Sequence, residues 1–143
     1  MRPDVHYHTS PALTNDELNG LFAISWPGHQ RRDFQPVLAH SLAYVCAYRG
    51  ETLIGYVNVA WDGGIHAFLL DTTVHPAWRR RGIGTALVRR AAAAARQRGM
   101  VWLHVDCTPQ LRDFYRACGF THTTAGLMNL SSGDCAGRCK EGR

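Results

Sequence analysis

The run RRRGIG, Arg79 to Gly84, leaves the chain fewer conformational options than any other stretch. It follows the apolar segment IHAFLLDTTV and precedes TALVRRAAAAARQRG, where Leu87, Ala91, Ala94 and Ala95 recur at helical spacing and Gly99 stands at a helix stop. A strand, a tight glycine turn and a helix in that order aim several backbone N–H groups at one point, which the helix dipole makes favourable for an anion. Three like charges in a row repel one another unless something negative sits among them, and arginine's planar donor fork suits phosphate oxygens. The turn predicts a diphosphate site; the alternative is an ordinary turn with its arginines in solvent. It is not the dinucleotide fingerprint, because Gly82 and Gly84 are followed by Thr85, Ala86 and Leu87 rather than by the third glycine of that pattern.

Composition narrows the chemistry. The chain has 143 residues, the size of one domain with a real core, and no segment has the uninterrupted apolar length of a membrane helix. Of 16 basic residues only Lys140 is a lysine, so a Walker-type loop or a Schiff-base enzyme has no core lysine to use. The formal charge of +5 is scattered apart from the arginine cluster, which argues against a nucleic-acid surface. Five cysteines, Cys46, Cys107, Cys118, Cys135 and Cys139, form no CxxC pair and suit reduced thiols in a cytoplasm. The first ten residues lack an apolar signal core, so a cytoplasmic, soluble protein is expected.

The pattern along the chain predicts a strand at VHYHT, then a helix capped by Thr14 with Glu17 completing a capping box and Leu13 and Leu18 at the staple positions. A Pro/Gly loop, WPGHQRRD, leads to a short helix at FQPVLAHS. AYVCAY and TLIGYVNVAW read as a hairpin, and DGG turns the chain into the long run ending at Val74. After the Ala-rich helix, MVWLHVDC is a strand, Thr108 and Pro109 are a cap and first helical residue, and Leu111, Phe114, Tyr115 and Cys118 form an apolar stripe that ends at Gly119. FTHTTAGLMNL predicts one strand or a tight pair, and residues 131–143 are expected to be a disordered tail.

VHPAWRRRGIGTALV resembles the acetyl-CoA signature of the GCN5-related N-acetyltransferase (GNAT) family, with Arg79, Gly82 and Gly84 at its marked places. TPQLRDFYRACGF is similar to that family's second signature, with Thr108 where many relatives have Asn and Leu111 where many have Ala. The resemblance implies an α/β fold over residues 1–130 as a single domain: a mixed, mostly antiparallel sheet, splayed between its fourth and fifth strands and flanked by helices, the acyl-CoA N-acyltransferase fold. It implies acetyl-CoA as co-substrate. Thr72, Thr73 and Val74 would line the pantetheine arm, with Thr108, Phe114 and Tyr115 across from them. The backbone of Arg79, Arg80, Arg81, Gly82, Ile83, Gly84 and Thr85 would hold the pyrophosphate.

The implied reaction is acetyl transfer to a primary amine of a small molecule by direct attack in a ternary complex. It needs a base for the amine, a donor for the oxyanion and an acid for the departing thiolate. Tyr115 matches the family's acid by position, and a phenol with an ordinary pKa near 10 stays protonated at neutral pH. The Val74 N–H is the expected oxyanion donor. Asp71 is the candidate base or amine anchor, with a structural carboxylate as its other reading; His66 and His104 are further candidates. Strand alternation puts His66 and Asp71 on opposite faces if no bulge intervenes. The acceptor walls are expected at Trp26, His29, Phe34, Trp61, Asp62 and His66. His6 and His8 share a strand face, but two histidines without a third ligand predict no metal. The rival reading is a non-catalytic acyl-CoA-binding module that meets a protein or nucleic acid; a homodimer stays open.

Overall fold

A computed structural model describes residues 4–131. The chain divides into two compact units, Met1–Val105 and Asp106–Arg143, each described by itself.

The first unit is a five-stranded sheet with helices on both faces. Its strands are β1 (Val5–Thr9), β2 (Ala43–Arg49), β3 (Thr52–Trp61), β4 (His66–Val74) and β5 (Trp102–Val105), and their order in the sheet is their order in the chain. The first three pairings are antiparallel and β4 pairs β5 in parallel. A parallel neighbour cannot be reached by a hairpin, so a helical crossover separates these two strands. The ladder between them is short, from His66↔Trp102 to Leu69↔Val105, and β4 runs on for five residues beyond it. The expected mixed sheet that parts between its fourth and fifth strands is therefore present.

Helix α1 (Asn15–Ser25) begins at the expected capping box: the Glu17 N–H donates to Thr14 Oγ1 at 3.1 Å and the Thr14 N–H donates to Glu17 Oε1 at 3.2 Å. Its Leu18, Leu21 and Phe22 are buried with Leu13, Cys46 and Tyr56 in a core on one face of the sheet. The loop into α2 (Gln35–His40) is tied back to α1 by two asparagines. Asn19 receives the Arg32 N–H at 2.9 Å and donates to the Arg32 carbonyl at 2.8 Å, while Asn15 receives the Phe34 N–H at 2.9 Å.

Helix α3 (Ile83–Gln97) covers the opposite face with Ile83, Leu87, Val88, Ala91 and Ala95. It begins at Ile83, within the glycine turn itself, and stops where Gly99 takes a φ of 84°. Its first turn comes so close to the sheet that β3 has no side chain at Gly55. A Cβ there would stand 3.0 Å from Leu87 Cδ1, 3.2 Å from Ala47 Cβ and 3.3 Å from Ile83 Cγ2.

The second unit contains a 3-10 turn, Pro109–Leu111, leading into α4 (Arg112–Ala117). Thr108 stands at the cap position in extended conformation, but its hydroxyl makes no cap hydrogen bond; the rigid φ of Pro109 starts the turn instead. The expected strand or strand pair over residues 120–130 is not formed: the segment carries no strand and residues 121–130 are exposed. Alternation in FTHTT lasts too few residues before Gly126 to hold an extended backbone without a ladder partner. The tail beyond Ser131, with Cys135 and Cys139, lies outside the described residues.

Because the α3 contact at Gly55 is with carbon atoms of a packed core, Gly55→Val should lower stability by about 1–3 kcal/mol through overpacking. Urea unfolding measures this, and an unchanged midpoint would mean that the helix can retreat without cost.

Candidate active site

The geometry that matters begins with an extra residue in β4. Between the pairs Tyr56↔Thr73 and Asn58↔Leu70, β3 uses one residue, Val57, and β4 uses two, Asp71 and Thr72. This is a β-bulge, and Asp71 takes a left-handed φ of 58° within it. Backbone direction follows from the bulge. The His66 carbonyl accepts from the Asp62 N–H at 3.1 Å, so it points to β3. Strict alternation from there would turn Val74 toward β3 as well. The extra residue reverses the phase: the His75 N–H donates to the Ile54 carbonyl at 2.8 Å. Val74 therefore directs its N–H away from β3, on the side where the β5 ladder has already ended.

The glycine turn follows at once. A 3-10 turn, Pro76–Trp78, is capped by His75 Nδ1, which accepts from the Ala77 N–H at 3.0 Å. Arg80 then adopts a left-handed φ of 62° and Gly82 one of 82°. Gly82 is the N-cap of α3 and supplies no side-chain cap, and the first intrahelical bond is Ala86 N–H to the Gly82 carbonyl at 3.0 Å. The amides of Ile83, Gly84 and Thr85 thus precede the helical ladder and form the positive end of its dipole. An open groove of about 430 Å³ continues from this turn along α3, lined by Gly82, Thr85, Ala86, Arg89, Arg90 and Ala93.

Two of the three consecutive arginines, Arg79 and Arg81, take different partners within the protein. Arg79 donates its Nε–H to the Val74 carbonyl at 3.1 Å. The Arg81 guanidinium lies 4.9 Å from the centroid of the Trp78 ring, and Arg49 approaches the same indole at 5.6 Å. The Val74 carbonyl and the Trp78 ring thus offer electron-rich partners within the run.

With strand, bulge, turn and helix in place, comparison with known proteins is decisive: residues 12–120 match the family model described as acetyltransferase (GNAT) family. The chain belongs to the GNAT acetyltransferase family. Among individual relatives, it is 42% identical to the mycothiol acetyltransferase of Mycobacterium ulcerans over 60 residues, 42% of this chain and 19% of that one. It is 41% identical to the probable glucosamine 6-phosphate N-acetyltransferase 2 of Oryza sativa subsp. japonica over 58 residues, 41% of this chain and 35% of that one. The matches thus span about a fifth and about a third of these relatives. A putative acetyltransferase from Deinococcus radiodurans shares the fold with a TM-score of 0.76 at 24% identity, covering 89% of each chain. The aminoglycoside N-acetyltransferase AAC(6')-Iy, solved with a CoA bisubstrate analogue, superposes with a TM-score of 0.70 at 18% identity over 95% of this chain and 99% of that one.

Within this GNAT domain the residues expected to form the acceptor walls fall in two groups: Trp26, His29 and Phe34 gather around Phe22, and Trp61, Asp62 and His66 lie at the turn between β3 and β4. His29 is half-buried against α1: its Nε2 lies 2.9 Å from Asn19 Oδ1, and its ring stacks on Phe34. Phe34 is buried, and Trp26 stacks on Phe22 at 4.0 Å. Trp61 pairs with Ala67 and so points to the α3 face. His66 shares the α1 face with Tyr56 but sits at the far end of β4, five residues from Asp71, or roughly 16 Å by strand rise. Its Nδ1 lies 2.8 Å from His104 Nε2, and His104 stacks on Phe68 at 4.7 Å. Asp62 is occupied locally, accepting the Gly64 N–H at 2.7 Å.

Asp71 departs from simple alternation because a bulge does intervene, so the opposition to His66 that held only for an unbroken strand does not apply. Burial first, and the Asp71 carboxylate second, push the Tyr56 phenol well above the usual tyrosine range. The carboxylate is therefore within electrostatic reach of a residue on the α1 face. On that same face Phe68 and Leu70 are 38% and 41% exposed, although β4 lies inside the sheet. Composition reads IHAFLLDTTV as a buried strand, and because residues 67–70 are all apolar the sequence carries no signal that the face of Phe68 and Leu70 stays open while Ala67 and Leu69 are buried.

Tyr115, Phe114 and Thr108 belong to the second unit. There Tyr115 is buried and meets Phe114 and Phe120 edge-on, at 4.9 and 5.7 Å between ring centroids. All three described cysteines are free thiols. His6 and His8 stay on β1, and no group of three or more metal-ligating side chains gathers among the described residues.

The core beneath this site has a pH dependence of its own. Burial pushes the Cys46 thiol up to about 12, outweighing a hydrogen bond with Tyr48 that lowers it. A raised folded-state pKa means that the folded protein holds its proton more tightly than the unfolded chain. The resulting stability is fully present below the ordinary thiol range and is lost as pH rises toward about 12. Tyr48 and Tyr56 act with the same sign. The urea midpoint should therefore fall between about pH 8 and about pH 10.5, and Cys46→Val should flatten part of that slope. A slope unchanged by the substitution would exclude the thiol as a contributor.

Proposed function

We propose that this chain transfers an acetyl group from acetyl-CoA to a primary amine of a small molecule, by direct attack within a ternary complex. The observation that carries this reading is the succession, within one unit, of an outward Val74 N–H and an α3 N-terminus without a side-chain cap nine residues on. The residues fit the co-substrate: a left-handed glycine with open space where a Cβ would be, amides outside the helical ladder and exposed guanidinium groups suit a pyrophosphate.

The roles follow from the chemistry. The amides from Arg80 to Thr85 hold the pyrophosphate, with Arg79 and Arg81 beside them. Thr72, Thr73 and Val74 receive the pantetheine arm as a sheet edge receives a strand, and Thr108 and Phe114 contribute from the second signature. The amine nitrogen attacks the thioester carbonyl carbon and the C–S bond breaks. The Val74 N–H stabilises the oxyanion, Asp71 takes the amine proton through water, and Tyr115 gives its proton to the thiolate. Exposed Phe68 and Leu70 on the Asp71 side favour an amine with apolar surface over a polycation. The free thiols suit a cytoplasmic setting.

Tyr115→Phe should bind CoA as the wild type does and lose about 10²–10⁴-fold in turnover of an amine found by following thiol release from acetyl-CoA. Undiminished turnover would remove the acid role, and failure of any amine to release thiol would favour a non-catalytic binding module.

A further inference from the structure

The groove along α3 carries two arginines beyond the glycine turn that fits a pyrophosphate. Gly82, Thr85, Ala86, Arg89, Arg90 and Ala93 recur at intervals of three and four residues, so they form one stripe of the helix. That stripe starts at the glycine turn and leads to two guanidinium groups. Arg89 lies five residues past Gly84, about 7–8 Å along the axis at the rise of an α-helix. Thr85 and Ala86, between turn and arginines, are small enough for a ligand to lie close against the backbone.

The two arginines are not equivalent. Arg90 is held over the Tyr7 ring of β1, with 4.5 Å between its guanidinium carbon and the ring centroid, and so walls one side of the groove. Arg89 is exposed and makes no hydrogen bond, ion pair or ring contact among the described residues. No aspartate or glutamate occurs anywhere in α3 to neutralise it.

Resting on the proposed acetyl-CoA reading, we infer that Arg89 recognises the 3′-phosphate on the ribose of the coenzyme. In CoA this phosphate is separated from the pyrophosphate by one ribose, a span of the same order as the axial step from the turn to Arg89. A phosphate monoester matches arginine's two-pronged donor geometry, and Arg90 beside it adds charge without having to leave Tyr7. Arg89 thereby makes the protein choose CoA over its 3′-dephospho form, a selection that the glycine turn alone cannot make because both compounds carry the same pyrophosphate.

The test is calorimetric titration of the full chain with CoA and with 3′-dephospho-CoA, for the wild type, Arg89→Gln and Arg89→Lys. The wild type should prefer CoA by about tenfold to a hundredfold, the worth of a charge-assisted hydrogen-bonding pair. Arg89→Gln should bind both compounds equally, at the wild-type level for the dephospho form, and Arg89→Lys should keep part of the preference. Equal binding of the two compounds by the wild type would overturn the assignment of Arg89 and leave the acetyl-CoA reading intact. So would an Arg89→Gln variant that weakens both by the same factor. Failure of the wild type to bind either compound would overturn both readings.

Discussion

One inserted residue in β4 sets the direction of everything that follows it. Side chains and peptide groups both alternate with period two along a strand, so an extra residue inverts the phase of the remainder. Before Asp71, the even-numbered residues of β4 point their peptide groups toward β3; after the bulge, His75 does. Val74 is thereby turned outward where β5 no longer pairs. A left-handed conformation at a non-glycine residue costs of order 1–3 kcal/mol and persists only where neighbouring structure enforces it. Here Thr73 Oγ1 donates to the Asp71 carbonyl at 2.9 Å, and the β3 register resumes on both sides.

The second constraint is the approach of α3. Gly55 lies directly under the first turn of the helix, and Ile83, inside the glycine motif, is 3% exposed because it packs there. The motif therefore has two tasks with opposite demands. Ile83 must be buried against β3, while the flanking Gly82 must bend the backbone and keep its amide neighbours at the surface. An isoleucine between two glycines meets both, which a run of three glycines could not.

Much of this was legible from the residues alone. Turn, helix start and anion-favouring amides follow from RRRGIG and the Ala-rich run, and the capping box at Thr14 appears as read. The order of strands follows from a hairpin and a short turn. The bulge was not legible, because Asp71 offers none of the glycine signals by which left-handed backbone is usually recognised. Nor was the way the loop residues are held: Asn15 and Asn19 fold the loop onto α1, so that Phe34 is buried while Trp26 and His29 stay half-buried beside Phe22. Whether FTHTT forms a strand depends on a partner backbone, which is a property of the fold and not of the segment.

The Arg79 side chain links the two halves of the proposed site. By position it belongs to the phosphate-binding turn, yet its Nε–H is spent on the carbonyl of Val74, the residue whose N–H is proposed to meet the oxyanion. The same residue is thus fixed at both ends: His75 anchors the chain after it to Ile54, and Arg79 holds its carbonyl. A donor held in place before the substrate arrives need not reorganise when charge develops, and this preorganisation is what makes such donors effective. Binding energy gained at the nucleotide end, remote from the reacting carbon, can then be expressed as alignment of the thioester with Val74. On this reading the arginine run does two kinds of work, attracting phosphate from its exposed edge and bracing the strand end from its inner one. Lysine, with a single ammonium head, could not supply both, which gives a physical reason for arginine at the head of the turn.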